Sequence, residues 1–310
     1  MKRLFQLLLA SLLSAILSAN AADSAYEKII IGGSSLGIRD NTKQDTEITF
    51  NVALSELLKS HGANVSILAF DNTQELYTAF DHDQIQGVFG TPLELIPLEN
   101  KMKSTMIALH YKNSPLKQPL LAIVRNADNI KSIKDLRGKK ISIGNTQDME
   151  KLYLNTLLLE NQQPELDDFF KERLTTKNTN TGIMDVFFGR SDITLVRKSE
   201  YKTAIELNPQ VEKKLTILAE SEPFLTLIAG AKTTMSDKSH QAAMQSLMDL
   251  KLTEKGQQLM RIIRADSFEL ISNSDLDNVR DLVKRYKTLK NQNISNTRPA
   301  KANKSTKVIN

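Results

Sequence analysis

Residues 132 to 160 read SIKDLRGKKISIGNTQDMEKLYLNTLLLE, a strand, loop and helix unit with both ends marked. Asp135 to Gly138 form a turn in which Gly138 supplies freedom at positive φ, and Lys140 to Ile143 then alternate as a strand. After the loop Gly144 to Thr146, the residues Met149, Leu152, Tyr153 and Leu157 recur at helical spacing. Asn145 or Thr146 is placed to cap the first turn, and Asp148 and Glu150 favour its positive dipole end. A strand that runs straight into a helix start aims unpaired backbone N–H groups at the loop, a natural seat for a small ligand.

The same alternation extends outward. Toward the N-terminus, Lys28 to Ile31 read as a strand that turns out through Gly32, Gly33, Ser34 and Ser35. Phe50, Ala53, Leu54 and Leu57 make a helix stripe stopped by His61 and Gly62, and Val65 to Phe70 follow as a strand. Thr73 to Phe80 read as a helix, Ile85 to Phe89 as a strand, and Pro92 suits the first turn of a helix that Thr91 caps. Thr105 to Leu109 and Leu120 to Val124 are further strands ahead of the central unit. Beyond it come helix Thr181 to Gly189, strand Ile193 to Val196, helix Glu200 to Leu207, segment Leu215 to Leu218 and strand Phe224 to Ala229. Ser239 to Leu250, Thr253 to Arg264 and Ser274 to Leu289 close the chain as helical patterns. Such β-α-β-α order predicts an α/β fold with mixed, mostly parallel sheets and right-handed crossovers.

The central unit resembles a family. Ser132, Ile133, Asp135, Leu136, Gly138, Lys139, Lys140 and Gly144, followed by Gly189, Asp192 and Val196, match its pattern. Leu218, Ser221 and Pro223 match a weaker stretch. This pattern is similar to that of periplasmic solute-binding proteins of the phosphate, phosphite and phosphonate group, over roughly residues 28 to 264. The resemblance implies a type II, two-lobed architecture that closes on a solute by hinge motion. Lobe one would hold residues 26–123 and 224–290, and lobe two residues 124–223, with crossings near Arg125 and Pro223. The closing helices would pack on lobe one. It further implies that the closed form delivers its solute to an inner-membrane ABC permease. A membrane receptor kinase or cyclase that senses the closed form is the rival partner, and an enzyme on the same lobed architecture is a third reading.

Composition narrows the class. Lys2 and Arg3 precede the apolar run Leu4 to Leu17, and Ala19, Asn20 and Ala21 give a cleavage site, so residues 1–21 read as a secretory signal. That run is shorter than a bilayer span requires. The chain has no cysteine, which excludes a lipid-attached N-terminus, disulfides and thiolate chemistry. The formal charge of +5 becomes +3 without Lys2 and Arg3, and −1 once Arg298, Lys301, Lys304 and Lys307 of the tail are set aside. The basic balance is therefore no sign of nucleic-acid binding. Residues 291–310 are polar and basic, and are expected to be disordered. The expected product is a monomer in the periplasm.

A clamshell needs converging polar groups at loop tips and no covalent chemistry. The candidate ligand contacts are Ser34, Ser35, Thr91, Thr146, Gln147, Thr179, Asn180, Thr181 and Arg197, with Glu94 beside Thr91 in its loop. Ser34 and Ser35 read equally well as a plain turn, and Thr91 as a helix cap. Two carboxylates at the start of the central helix, Asp148 and Glu150, would repel a bound oxyanion unless both turn to solvent, although each also reads simply as stabilising the helix start, so the expected ligand is a small polar solute and not specifically an oxyanion. The histidines His61, His82, His110 and His240 sit on unrelated elements, and Asp81, His82 and Asp83 read as an exposed turn rather than a metal site. Neither a dinucleotide fingerprint nor a phosphate loop surrounds Gly32 and Gly33. The expectation is a binding protein with no cofactor, no metal and no catalytic residue.

Overall fold

The computed structural model describes residues 28–34, 51, 64–112, 114–144, 147–176, 178–263 and 265–297. The expected signal, the helix stripe at 50–57 with its stop, and candidate contacts Ser35 and Thr146 lie outside the described residues.

Two mixed sheets organise the chain. The first has strand order β11-β4-β10-β3-β1-β2, built from β1 (Lys28–Ser34), β2 (Asn64–Phe70), β3 (Gly87–Gly90), β4 (Thr105–Tyr111), β10 (Ile228–Ala231) and β11 (Ala265–Ser272). In it β1 pairs parallel with β2 and β3, while β10 and β11 run antiparallel to their neighbours. The second has order β7-β6-β8-β5-β9, from β5 (Lys117–Arg125), β6 (Lys140–Gly144), β7 (Glu172–Thr176), β8 (Ile193–Arg197) and β9 (Leu215–Leu225). Here β6 is parallel to β7 and β8, and β5 is antiparallel to β8 and β9.

Helices cover both faces of each sheet, so central strands are apolar on both sides. In β5, Leu120, Ala122 and Val124 join one apolar cluster while Leu121 and Ile123 join another. On β6, Ile141 and Ile143 pack with Met149, Tyr153, Leu154 and Leu158 of helix α3 (Asp148–Glu160). Ser142 between them faces the opposite helix, α5 (Thr179–Phe187), and its hydroxyl donates to Asp185 Oδ2 at 2.6 Å. That helix lies so close to the sheet that a Cβ on Gly182 would stand 2.6 Å from Thr194 Oγ1. The turn before β6 does place Gly138 at φ +68°. In the first sheet, α1 (Thr73–Asp81) seats Leu76 and Phe80 against Val88 and Met106. α8 (Asp237–Asp249) and α9 (Glu254–Ile262) cover the other face through Ala243 and Leu259.

Three connections join the two bodies. β5 lies wholly in the second sheet, so the first crossing is at 112–116, ahead of the Arg125 position expected from sequence. β9 likewise stays in the second sheet to Leu225, and the return is at 226–227. The Ser221 to Pro223 stretch is therefore strand rather than turn: Pro223 sits on an edge strand opposite Pro119, where neither needs an N–H. Ser221 accepts from the Leu120 N–H at 2.8 Å across the register shift beside them.

The third connection departs from expectation. α10 (Asp277–Thr297) follows β11 of the first sheet but packs on α3 of the second body, with Val279 and Leu282 inside the cluster that holds Met149 and Tyr153. It also runs to Thr297, into the stretch expected to be disordered, since nothing in residues 290–297 breaks a helix before Pro299. No described helix is long and apolar enough to cross a membrane.

Candidate functional site

Parallel sheets present their ligands at the carboxyl ends of strands, and five such ends carry the candidate residues here. From the first body come Ser34 at the end of β1 and Thr91 just after β3. From the second come Gln147 after β6, the start of α5 after β7, and Arg197 at the end of β8.

On the first body, Ser34 and Thr91 meet at one carboxylate. Thr91 caps the short helix α2 (Pro92–Leu95) in a reciprocal capping box with Glu94. The Thr91 N–H and hydroxyl both donate to Glu94 Oε2, at 2.8 and 3.0 Å, and the Ser34 hydroxyl donates to Glu94 Oε1. Glu94 is only 4% exposed. Burial raises its pKa, as does the charge of Asp148 across the gap, while the hydrogen bonds from Ser34 and Thr91 partly offset the rise. Beneath it the Tyr77 hydroxyl donates to the Glu94 backbone carbonyl at 2.7 Å, and burial with the Glu94 charge pushes that phenol up to about 12.

On the second body, Thr179, Glu200 and Arg197 form one group. Thr179 Oγ1 donates to Glu200 Oε1 at 3.1 Å, and the Arg197 N–H donates to Glu200 Oε2 at 2.8 Å. The Arg197 guanidinium stands 3.8 Å from the same carboxylate. Glu200 lies in the first turn of α6 (Lys198–Leu207). Thr181 turns its N–H and hydroxyl to the cap residue Asn178, at 2.9 and 3.0 Å, and Asn180 is exposed beside it.

Gln147 differs from the ligand contact expected of it. Its Oε1 accepts from the Gly144 N–H and its Nε2 donates to the Leu195 carbonyl at 3.0 Å, so the buried amide braces the end of β6 to β8. Asp148, next in line, is half-exposed and 3.2 Å from Lys151. Glu150 is fully buried, so the two acids do not both turn to solvent. Asp81 and Asp83, weighed as metal ligands, instead pair with Lys101 and Lys232. Among the described residues no cluster of three or more His, Asp or Glu side chains is placed to hold a metal.

The two bodies touch across this gap. Leu93 and Ile96, from α2 and the turn after it, pack against the second body's apolar cluster. Glu200 is the residue that a choice based on hydroxyls passed over, and Glu94 was named only as the neighbour of Thr91 in its loop. For Glu94 the signal was present, a threonine followed three residues later by glutamate.

Comparison with known proteins places this arrangement. The model of a family described as "ABC transporter, phosphonate, periplasmic substrate-binding protein" matches residues 39–276. A binding protein component of an ABC phosphonate transporter from Pseudomonas aeruginosa is similar in structure, with 12% identity, a TM-score of 0.63, and 86% of this chain and 88% of that one covered. PhnD1 from Prochlorococcus marinus, solved with methylphosphonate, is 13% identical with a TM-score of 0.61, covering 84% of this chain and 98% of its own. XAC2383 from Xanthomonas citri, solved with ATP, is 14% identical with a TM-score of 0.62, covering 85% of this chain and 98% of its own. At these identities the likeness is one of fold. No curated protein matches the sequence.

Proposed function

We infer function from one premise: this chain belongs to the family of periplasmic substrate-binding proteins of phosphonate ABC transporters. Its role is to bind a small solute in the periplasm for an ABC transporter. The finer reading, which residues hold the solute and how the bodies close on it, is ours. The observation that supports this reading is that candidate residues from both bodies stand at strand ends, Ser34, Thr91 and Glu94 on the first and Thr179, Glu200 and Arg197 on the second, with Asp148 of the second body acting on Glu94 through its charge.

The solute sits between these groups, and the bodies close by rotation about the crossings at 112–116 and 226–227. The methylphosphonate with which the Prochlorococcus protein was solved supports a solute of about that size. The protein acts as a monomer without turnover, after removal of residues 1–21, and the closed form is what the permease accepts. The test is a thermal-shift screen of the processed protein against oxyanions, carboxylates, amines, amino acids and nucleobases. A solute at a hundredfold excess over its Kd adds about 2.7 kcal/mol of stability. If no solute in the panel shifts the melt, the binding role proposed for this gap fails.

A further inference from the structure

We propose that a second site, separate from the gap, takes a small polyanion: the cleft of about 290 Å³ that Lys112, Lys251 and Arg261 line at the β11 edge of the first sheet, beside the first crossing. The inference goes beyond the binding role above, because none of Ser34, Thr91, Glu94, Thr179, Glu200 and Arg197 lines this cleft.

Four separate pieces of the chain build it. Ala265, the first residue of β11, pairs with Tyr111, the last of β4, so Lys112 leaves its strand beside the start of β11. The register shifts between Ala265 and Ser267, which makes Asp266 the extra residue of a bulge, a device that re-aims a side chain at a sheet edge. Lys251 stands in the turn Leu250–Leu252. The Gln257 Nε2 of α9 donates to the Lys251 carbonyl at 3.1 Å, which ties that turn to the helix whose last turn carries Arg261. Buried Met260 and Ala265 supply the apolar part of the lining.

The cations gathered here are unpaired. Among the described residues Arg261 is the one arginine whose guanidinium has no carboxylate or amide acceptor. Every other described arginine is held by a carboxylate or, for Arg137, by Gln163. The ammonium groups of Lys112 and Lys251 likewise have no acid within ion-pair distance among the described residues. Three cations therefore line the cleft against the single acid Asp266. Like charges drawn to one cleft repel, and a ligand bearing two or more negative charges removes that repulsion.

The chemistry of the three heads names the class. A guanidinium fork meets a carboxylate or a phosphate through two parallel hydrogen bonds, and lysine ammonium groups add point charges around it. The volume lies near the lower end of the roughly 300–1,000 Å³ usual for small-molecule sites, which suits an anion of several linked groups better than a single inorganic ion. Both a polyphosphate and a polycarboxylate carry that chemistry.

The experiment is calorimetric titration of the processed protein with tripolyphosphate and with citrate. At least one should bind with one site per chain, the tighter of the two telling a phosphate-bearing ligand from a polycarboxylate. Its affinity should fall as salt rises, since the cations are exposed. Arg261→Gln should weaken it about tenfold, with Tm in the absence of the probe unchanged because the side chain has no partner to lose. Lys112→Gln and Lys251→Gln should each weaken it several-fold, and Asp266→Asn should tighten it, a gain that a merely structural role would not give. Failure of both probes to bind at millimolar concentration would overturn the inference, as would Arg261→Gln binding like the wild type. Loss of probe binding in Arg197→Gln, with Arg261→Gln unaffected, would place the anion in the gap and overturn it too.

Discussion

At the scale of single residues, the contrast between Thr91 and Gln147 shows what a sequence position conveys. Thr91 was expected as a cap or as a contact, and it is a cap that also fastens the buried carboxylate of Glu94. Gln147 was expected to reach a ligand, and both ends of its amide are instead consumed between β6 and β8. Nothing local separates the two outcomes, because Leu195 lies 48 residues further on. Gln147→Ala should leave a buried N–H and a buried carbonyl unpaired, at a cost of roughly 2–4 kcal/mol. In a chain of this size that is a fall of ~5–10 °C in apo Tm. An unchanged melt with weakened solute binding would instead return Gln147 to the ligand.

At the scale of elements, the sequence was legible where punctuation and period agreed. The unit at 132–160 carries both, with a glycine turn before β6 and an acidic first turn on α3, and its strand and helix form where they read, although the helix starts after Gln147 with no side-chain cap, where Asn145 or Thr146 was expected to supply one. β7 was not legible, because an edge strand of sequence ERLTT is largely exposed and shows no apolar alternation. β11 was missed for a related reason, its residues alternating only weakly beside a helix that precedes them directly. The partner of α10 was hidden in a different way: an amphipathic stripe says that a face is buried and not against what. In the fold Tyr286 donates to Glu165, Lys290 Nζ lies 2.9 Å from Glu165, and Arg285 lies 3.2 Å from Glu160, all at the far end of the second body.

Burial works to raise the Glu165 pKa, but the hydrogen bonds from Tyr286 and Lys290 outweigh it and the net shift is downward. A folded pKa below the unfolded one means stability present above the unfolded value and lost as pH falls through the folded one. Glu165→Gln should therefore lower Tm at neutral pH, and the gap to wild type should close as pH falls below about 4.3, the ordinary glutamate value. A gap that stays constant across that range would show that the charge on Glu165 contributes nothing to holding α10.

At the scale of the whole molecule, α10 decides how the bodies can move. Two crossings alone would leave a free hinge, but the chain passes back a third time, from β11 through the turn Asn273–Leu276 into a helix seated on the second body. Its hold on that body is an apolar face with Leu282 at 1% exposure, plus the ion pairs at its far end. Its hold on the first body is narrower. The Arg280 Nε donates to Glu99 at 2.9 Å, from the turn after α2, and its Nη2 donates to the Asn273 carbonyl at 2.7 Å. Opening the gap between α2 and α3 therefore carries α10 with the second body and strains the Arg280 contact first. That contact is formed here, where Leu93 and Ile96 touch the second body, so it favours closure. A partly exposed pair of this kind contributes about 1 kcal/mol at most. Arg280→Ala should then weaken solute binding by no more than about fivefold. It should also enlarge the radius of gyration of the solute-free protein in small-angle scattering, and leave that of the solute-bound protein unchanged. Equal enlargement of both forms would mean that α10 moves with the first body and that the hinge lies elsewhere.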